Sequence, residues 1–165
     1  MRIAVFSDIH DNIWNLEKAL EQLQSHDAGL MCFLGDFCAP FTLKQLAEGF
    51  SGPIHVVFGN NDGDQFLLAR IASGFEHVTL HGQFAEVSVD HRVIALNHYP
   101  DIAKPIAQSG DYDAVFSGHD HQKYIHRFDN TLWANPGEIM GRFGDPSFGI
   151  YDTEADEFEH VGVGE

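Results

Sequence analysis

Ile3-Ala4-Val5-Phe6-Ser7-Asp8-Ile9-His10-Asp11-Asn12 opens on a short apolar run and turns abruptly polar at Ser7-Asp8. The run has the length of a buried strand. Behind Asn12, a residue suited to N-capping, Ile13, Leu16, Leu20 and Leu23 recur at helical spacing. The stretch reads as strand, turn and amphipathic helix. Apolar runs at Leu30–Leu34 and Ile54–Phe58 repeat the strand, with helices expected at about Thr42–Gly49 and Asp62–Ser73. Strands alternating with helices imply a parallel core sheet.

The second half changes character. Phe84 to Val89 alternates apolar with small or polar residues, and Asp90-His91 turns it into the run Val93–Leu96, the pattern of a hairpin. A helix near Asp101–Gln108 precedes Ala114–Phe116, and short strands are expected around Tyr124–Phe128, Thr131–Ala134 and Phe148–Asp152. The acidic tail, with Asp152, Glu154, Asp156, Glu157 and Glu159 around Phe158 and Val161, reads as the solvated face of a terminal strand or hairpin. The sum is a mixed α/β protein with at least two sheet regions. Its 165 residues, without a linker or internal repeat, suit one domain over residues 1–165.

Composition excludes several classes. Hydrophobic residues make up 44% with 14 Phe, enough for a packed core and too much for a disordered chain. Apolar runs stay far below the roughly 18 residues that a membrane span requires, and Ser7-Asp8 cuts the first run short of a signal-peptide core. Cys32 and Cys38 form neither a disulfide framework nor a Cys-x-x-Cys pair, as expected of reduced thiols in a cytoplasmic protein. Nine Lys and Arg against 25 Asp and Glu give a formal charge of −16, which repels polyanions and argues against a long nucleic-acid or membrane partner. A phosphate substrate would need a local source of positive charge.

Open α/β sheets gather ligands at the carboxyl ends of their strands. Phe6 is followed by Ser7-Asp8-Ile9-His10, Leu34 by Gly35-Asp36, Phe58 by Gly59-Asn60-Asn61-Asp62, Leu96 by Asn97-His98, and Phe116 by Ser117-Gly118-His119-Asp120-His121. Singly, each of these is most often a cap, a turn or a surface histidine. Their repetition after five strands points to one site. Oxygen and imidazole donors without thiolates suit Mn, Fe, Zn, Co or Ni. The set exceeds the needs of one ion. Two ions sharing a carboxylate would polarise a phosphoryl oxygen, lower the pKa of a water and supply the missing positive charge.

The ordered blocks Asp8-x-His10, Gly35-Asp36, Gly59-Asn60-x-Asp62, His98 and Gly118-His119-x-His121, closing on Asn135-Pro136-Gly137, resemble the calcineurin-like metallophosphoesterases, and within them the small bacterial and archaeal phosphodiesterases. The resemblance implies a four-layer αββα sandwich of two mixed sheets flanked by helices. It also implies two divalent ions, manganese foremost, with Fe, Zn, Ni or Co as the other candidates. Carried over by position, Asp8, His10, Asp36 and His121 would hold one ion, and Asp36, Asn60, His98 and His119 the other, with Asp36 bridging. A hydroxide shared by the ions would attack a small phosphoester in line. Asn61, Asp62 and Asn12 are the candidate catalytic residues outside the metal sets, Asn12 for positioning the substrate or its loop.

The chain departs from the family pattern at several points. Many relatives have His at the position of Asn61, and Asn cannot donate a proton at neutral pH; it would either hydrogen-bond a phosphoryl oxygen or serve the turn. Asp11, Asp120 and Glu138 stand where Gly, Thr and Ser are common, and Tyr99 where Gly is expected. The added carboxylates either form a rim that disfavours dianionic monoesters or point into solvent. His26, His55, His77, His81, His91, His126 and His160 lie outside the blocks and are given no role. Alternatives to a phosphodiesterase are a phosphomonoesterase, a nuclease, or a non-catalytic scaffold resembling the small subunit of retromer. Phe37, Phe41 and Phe143 are the candidates for an exposed patch serving a partner or a homo-oligomer.

Overall fold

The computed structural model describes residues 1–164. Strand β1 (Arg2–Phe6) leads through Asn12, whose side chain caps the next element by accepting from the Asn15 amide at 3.2 Å, into helix α1 (Ile13–Leu23). Strand β2 (Ala28–Phe33), helix α2 (Pro40–Gly49), strand β3 (Ile54–Val56), helix α3 (Gln65–Ala72) and strand β4 (Val78–Leu80) follow. Strands β1 to β4 lie side by side and parallel. Strand β10 (Ser147–Asp152) pairs antiparallel with the free side of β1, and β11 (Glu157–Gly162), from the acidic tail, pairs antiparallel with β10. The second sheet has the order β5 (Phe84–Val89), β6 (Arg92–Asn97), β7 (Ala114–Phe116), β9 (Thr131–Pro136), β8 (Lys123–Phe128), with helix α4 (Pro100–Ser109) between β6 and β7 in the chain.

Strand alternation builds the layers. In β1, Ala4 and Phe6 join Leu16, Leu43 and Leu68 of α1, α2 and α3 in one core, while Ile3 and Val5 face Ile94, Leu96 and Phe116 of the second sheet in another. A third core seats Ala103 and Ala107 of α4 on Val115 and Trp133. The order helix, sheet, sheet, helix is the expected αββα sandwich.

Several boundaries differ from the sequence reading. The short strand β4, with its middle residue exposed, carries too little pattern to be anticipated. Strand β3 ends at Val56, before Phe58. Helix α3 begins at Gln65 because Asp64, and not Asp62, provides its cap, accepting from the Leu67 amide at 2.9 Å. Phe37 is fully buried, stacked on Phe33 with ring centroids 3.7 Å apart, so it belongs to the core and not to an exposed patch. Phe41 and Phe143 are exposed as expected.

Candidate metal centre

The polar segments that follow β1, β2, β3, β6 and β7 meet at one edge of the two sheets and are stitched together by backbone hydrogen bonds. The Asp8 amide donates to Gly35 O at 3.1 Å and the His10 amide to Asp36 O at 3.0 Å. From the third segment, Asp62 Oδ2 accepts from the amides of Asp36 (3.0 Å) and Gly59 (2.8 Å), and Oδ1 from that of Phe37 (2.7 Å). The His119 amide donates to Asp8 Oδ2 at 3.0 Å, which ties the second sheet to the first. This approach requires glycine: a Cβ on Gly118 would collide with the Ser7 hydroxyl and the Asp8 carboxylate, and one on Gly59 with the Asp36 carboxylate. Asp8, His10, Asp36, His119 and His121 all take positive φ, between 45° and 72°. Such residues are uncommon and strained, and they cluster where ligands are held.

Two sets of donor atoms result. Asp8, His10 and His121 offer ligand atoms within 4.8 Å of one another, as do Asp36, His98 and His119. Asp36 joins them, its Oδ2 lying 3.4 Å from His10 Nε2 and 3.5 Å from His98 Nε2. Asn60 Oδ1 is 3.1 Å from His98 Nε2. The far nitrogens are engaged elsewhere: His98 Nδ1 donates to Leu34 O at 2.7 Å, His121 Nδ1 lies 2.6 Å from Glu138 Oε2, and His10 Nδ1 is 3.4 Å from Cys38 Sγ. Each ring is thereby turned so that Nε2 faces the carboxylates.

The residues fit divalent metal ions. Among the described residues, Asp8 Oδ1 and His10 Nε2 are buried side-chain polar atoms without a hydrogen-bond partner. Asp8 Oδ1 lies 3.6 Å from both His10 Nε2 and His121 Nε2, too far for a hydrogen bond. Ligand atoms about 2.1 Å from one ion would stand about 3 to 3.4 Å apart at octahedral or tetrahedral angles. Charge agrees with geometry. Burial disfavours the charged form of His98, but the adjacent Asp36 and Asp8 carboxylates outweigh it and raise its pKa. His10 is raised against burial in the same way by Asp8 and Asp36. Burial opposes ionisation of Asp36, yet His98 and two hydrogen bonds from Asn61, both 2.8 Å, hold its carboxyl well below the usual range. The site is a concentration of negative potential that cations would neutralise.

The model of the calcineurin-like phosphoesterase superfamily domain matches residues 1–156. The chain belongs to the calcineurin-like phosphoesterase superfamily. The phosphodiesterase MJ0936 of Methanocaldococcus jannaschii is 31% identical over 164 residues, covering 98% of each chain. The structure of a novel archaeal phosphodiesterase superposes with a TM-score of 0.90 at 30% identity, over 99% of this chain and all of that one. A Vps29 of Entamoeba histolytica, solved with Zn²⁺, shares the fold with a TM-score of 0.67 at 16% identity, over 99% of each chain. Members of this superfamily use divalent metals, and this chain brings all seven expected ligands, Asp8, His10, Asp36, Asn60, His98, His119 and His121, to one place.

The other candidates in this calcineurin-like domain have different surroundings. Asn61 is exposed, but its amide and backbone N–H both donate to Asp36. Asn12 caps α1 and donates to Met140 O at 2.8 Å, so it holds the chain beyond β9. Asp62 accepts from backbone amides on both oxygens and orients loops. Asp11 Oδ1 accepts from the Ala39 amide (2.8 Å) and Thr42 Oγ1 (2.9 Å) at the start of α2, and Glu138 is buried. Neither forms a rim of free charge or points into solvent. Asp120 alone of the three is exposed. Tyr99 sets its ring edge-on to His98 and His119, with centroids 5.0 and 5.1 Å away. The contacts of Cys38 with His10 and of Glu138 with His121 could not be read from sequence, because these partners, 28 and 17 residues away, are set by loop path and not by spacing.

Proposed function

We propose that this chain is a metal-dependent phosphodiesterase that holds two divalent ions, one by Asp8, His10, Asp36 and His121, the other by Asp36, Asn60, His98 and His119. The observation that carries the reading is the meeting of two donor sets at Asp36 Oδ2, within 3.5 Å of an imidazole nitrogen from each. Bound ions would supply Lewis acidity toward a phosphoryl oxygen and activate a water at neutral pH. The family resemblance puts manganese first among the candidates, with Fe, Zn, Ni and Co after it, and oxygen and imidazole donors without thiolates suit all five.

The chain's own residues do the rest. Asn61 and His98 keep Asp36 ionised between the two sets. Leu34 O, by accepting the Nδ1 proton of His98, leaves Nε2 of that ring as the donor atom. Asn61 carries no titratable proton, so the chain brings no general acid to the leaving alcohol at that position and favours esters whose alcohols leave readily. The exposed Asp120 and the net charge of −16 disfavour dianions relative to monoanions and repel long polyanions, which supports a small diester. No helix among the described residues is long and apolar enough to cross a membrane, and both cysteines are free, which supports a cytoplasmic setting.

Hydrolysis of bis(4-nitrophenyl) phosphate and of 4-nitrophenyl phosphate by metal-stripped protein with Mn²⁺ restored tests the proposal. The expected result is metal-dependent turnover with the diester preferred. Preference for the monoester would reject the substrate class while keeping the metals. No turnover with Mn, Fe, Zn, Co or Ni would reject the enzyme and leave the scaffold reading, whose support is the fold alone.

A further inference from the structure

We infer that Glu138 is a positioning residue that couples the two halves of the site: it fixes His121 in its ligating orientation and pins the turn at Phe143 and Gly144 beside it. The inference rests on the metal-dependent reading above. Glu138 is 1% exposed. A carboxylate so placed is costly unless its oxygens are satisfied. Oε2 lies 2.6 Å from His121 Nδ1, and Oε1 accepts from the amides of Phe143 at 2.6 Å and Gly144 at 2.9 Å. Because Nδ1 faces a carboxylate oxygen, the ring proton sits there and Nε2 is turned toward Asp8 Oδ1.

The turn pinned by the other oxygen is the part of this neighbourhood equipped to meet an organic phosphate. Phe143 stands edge-on to His121 with centroids 5.0 Å apart and is 72% exposed. The Arg142 guanidinium lies 5.5 Å from the Phe143 ring centroid. It is one of only nine Lys and Arg in the chain. An apolar wall and a cation are thus held next to a metal-ligating ring by the residue that orients that ring.

The variant Glu138→Gln separates this role from space-filling. A carboxylate satisfies N–H donors on both oxygens, whereas an amide has one acceptor oxygen and one NH₂. With its oxygen on the backbone amides, the NH₂ would donate to His121 Nδ1, move the ring proton to Nε2 and remove the ligand. With its oxygen on His121, the NH₂ would oppose the amides of Phe143 and Gly144 and open the turn. The isosteric amide cannot keep both halves.

Calorimetric Mn²⁺ titration of metal-stripped wild type and Glu138→Gln, with ¹⁵N imidazole spectra and amide exchange at Phe143 and Gly144 in the metal-free proteins, tests this. Wild type is expected to bind two ions and to show His121 protonated at Nδ1. The variant is expected either to bind one ion about 10- to 100-fold more weakly with an Nε2–H signature at His121, or to lose exchange protection at Phe143 and Gly144. A variant with two ions at wild-type affinity, the Nδ1–H signature and unchanged protection would overturn the inference. The wild-type spectrum tests it even if the variant fails to fold, since an unprotonated Nδ1 would also overturn it. Wild type that binds no ion would defeat the metal-dependent reading, while the tautomer and exchange data would still judge Glu138.

Discussion

Asp62 shows how a carboxylate beside a reactive site can act entirely through backbone. It accepts from the buried amides of Gly59, Asp36 and Phe37, and so sets the loop from which Asp36 projects. Each buried donor left without a partner costs about 1 to 3 kcal/mol. Asp62→Ala is therefore expected to lose at least about 3 kcal/mol of stability, read from denaturant midpoints, and to weaken Mn²⁺ binding without removing a ligand. A loss within 1 kcal/mol or unchanged metal affinity would contradict that role. The seven expected ligands were legible because each follows an apolar run, where the end of a strand delivers it to the sheet edge. The tasks of Asp62 and Glu138 were not, nor was the bond from Asn12 to Met140 O, because a hydrogen bond between loops leaves no periodic trace, and a carboxylate quoted from sequence looks the same on a rim or sealed under a turn.

Among the elements, β3 and the residue after β4 carry a coupled pair outside the centre. His55 Nδ1 and His81 Nε2 are 2.8 Å apart with their rings stacked, and burial lowers the pKa of both, aided in His55 by the charge of His81. The unfolded chain then binds more protons than the folded one as pH falls below the ordinary histidine value of 6.5. Stability contributed by the neutral pair is present above that value and is lost as pH falls toward the lowered folded values. His81→Gln is expected to shrink the fall in melting temperature of metal-free protein between about pH 7.5 and 5.5, and an equal fall in both proteins would sink the idea. The strand that His81 follows was invisible to pattern: Val78-Thr79-Leu80 is too short to alternate detectably. Helix α1 was plain, since its cap and apolar stripe agree. The start of α3 was misplaced because Asp62 and Asp64 are equally good caps on paper and only the loop geometry decides which is free to act.

At the scale of the whole molecule, two sheets with separate faces to helix and to each other bring five strand ends to one edge, where Asp8 and Asp36 meet four imidazoles. That arrangement was legible from the repeated unit of apolar run followed by Asp, Asn or His; the pairing of β10 with β1 was not, because it joins residues nearly 150 positions apart. Both ions are expected to share Asp36, and both to be needed for turnover. The most direct test is the initial rate of aryl phosphodiester hydrolysis as Mn²⁺ is titrated into metal-stripped protein at concentrations above its dissociation constants, with Asp36→Asn alongside. Little turnover is expected at one equivalent, full turnover at two, and none in the variant at either. Full activity at one equivalent, or in Asp36→Asn, would contradict that expectation.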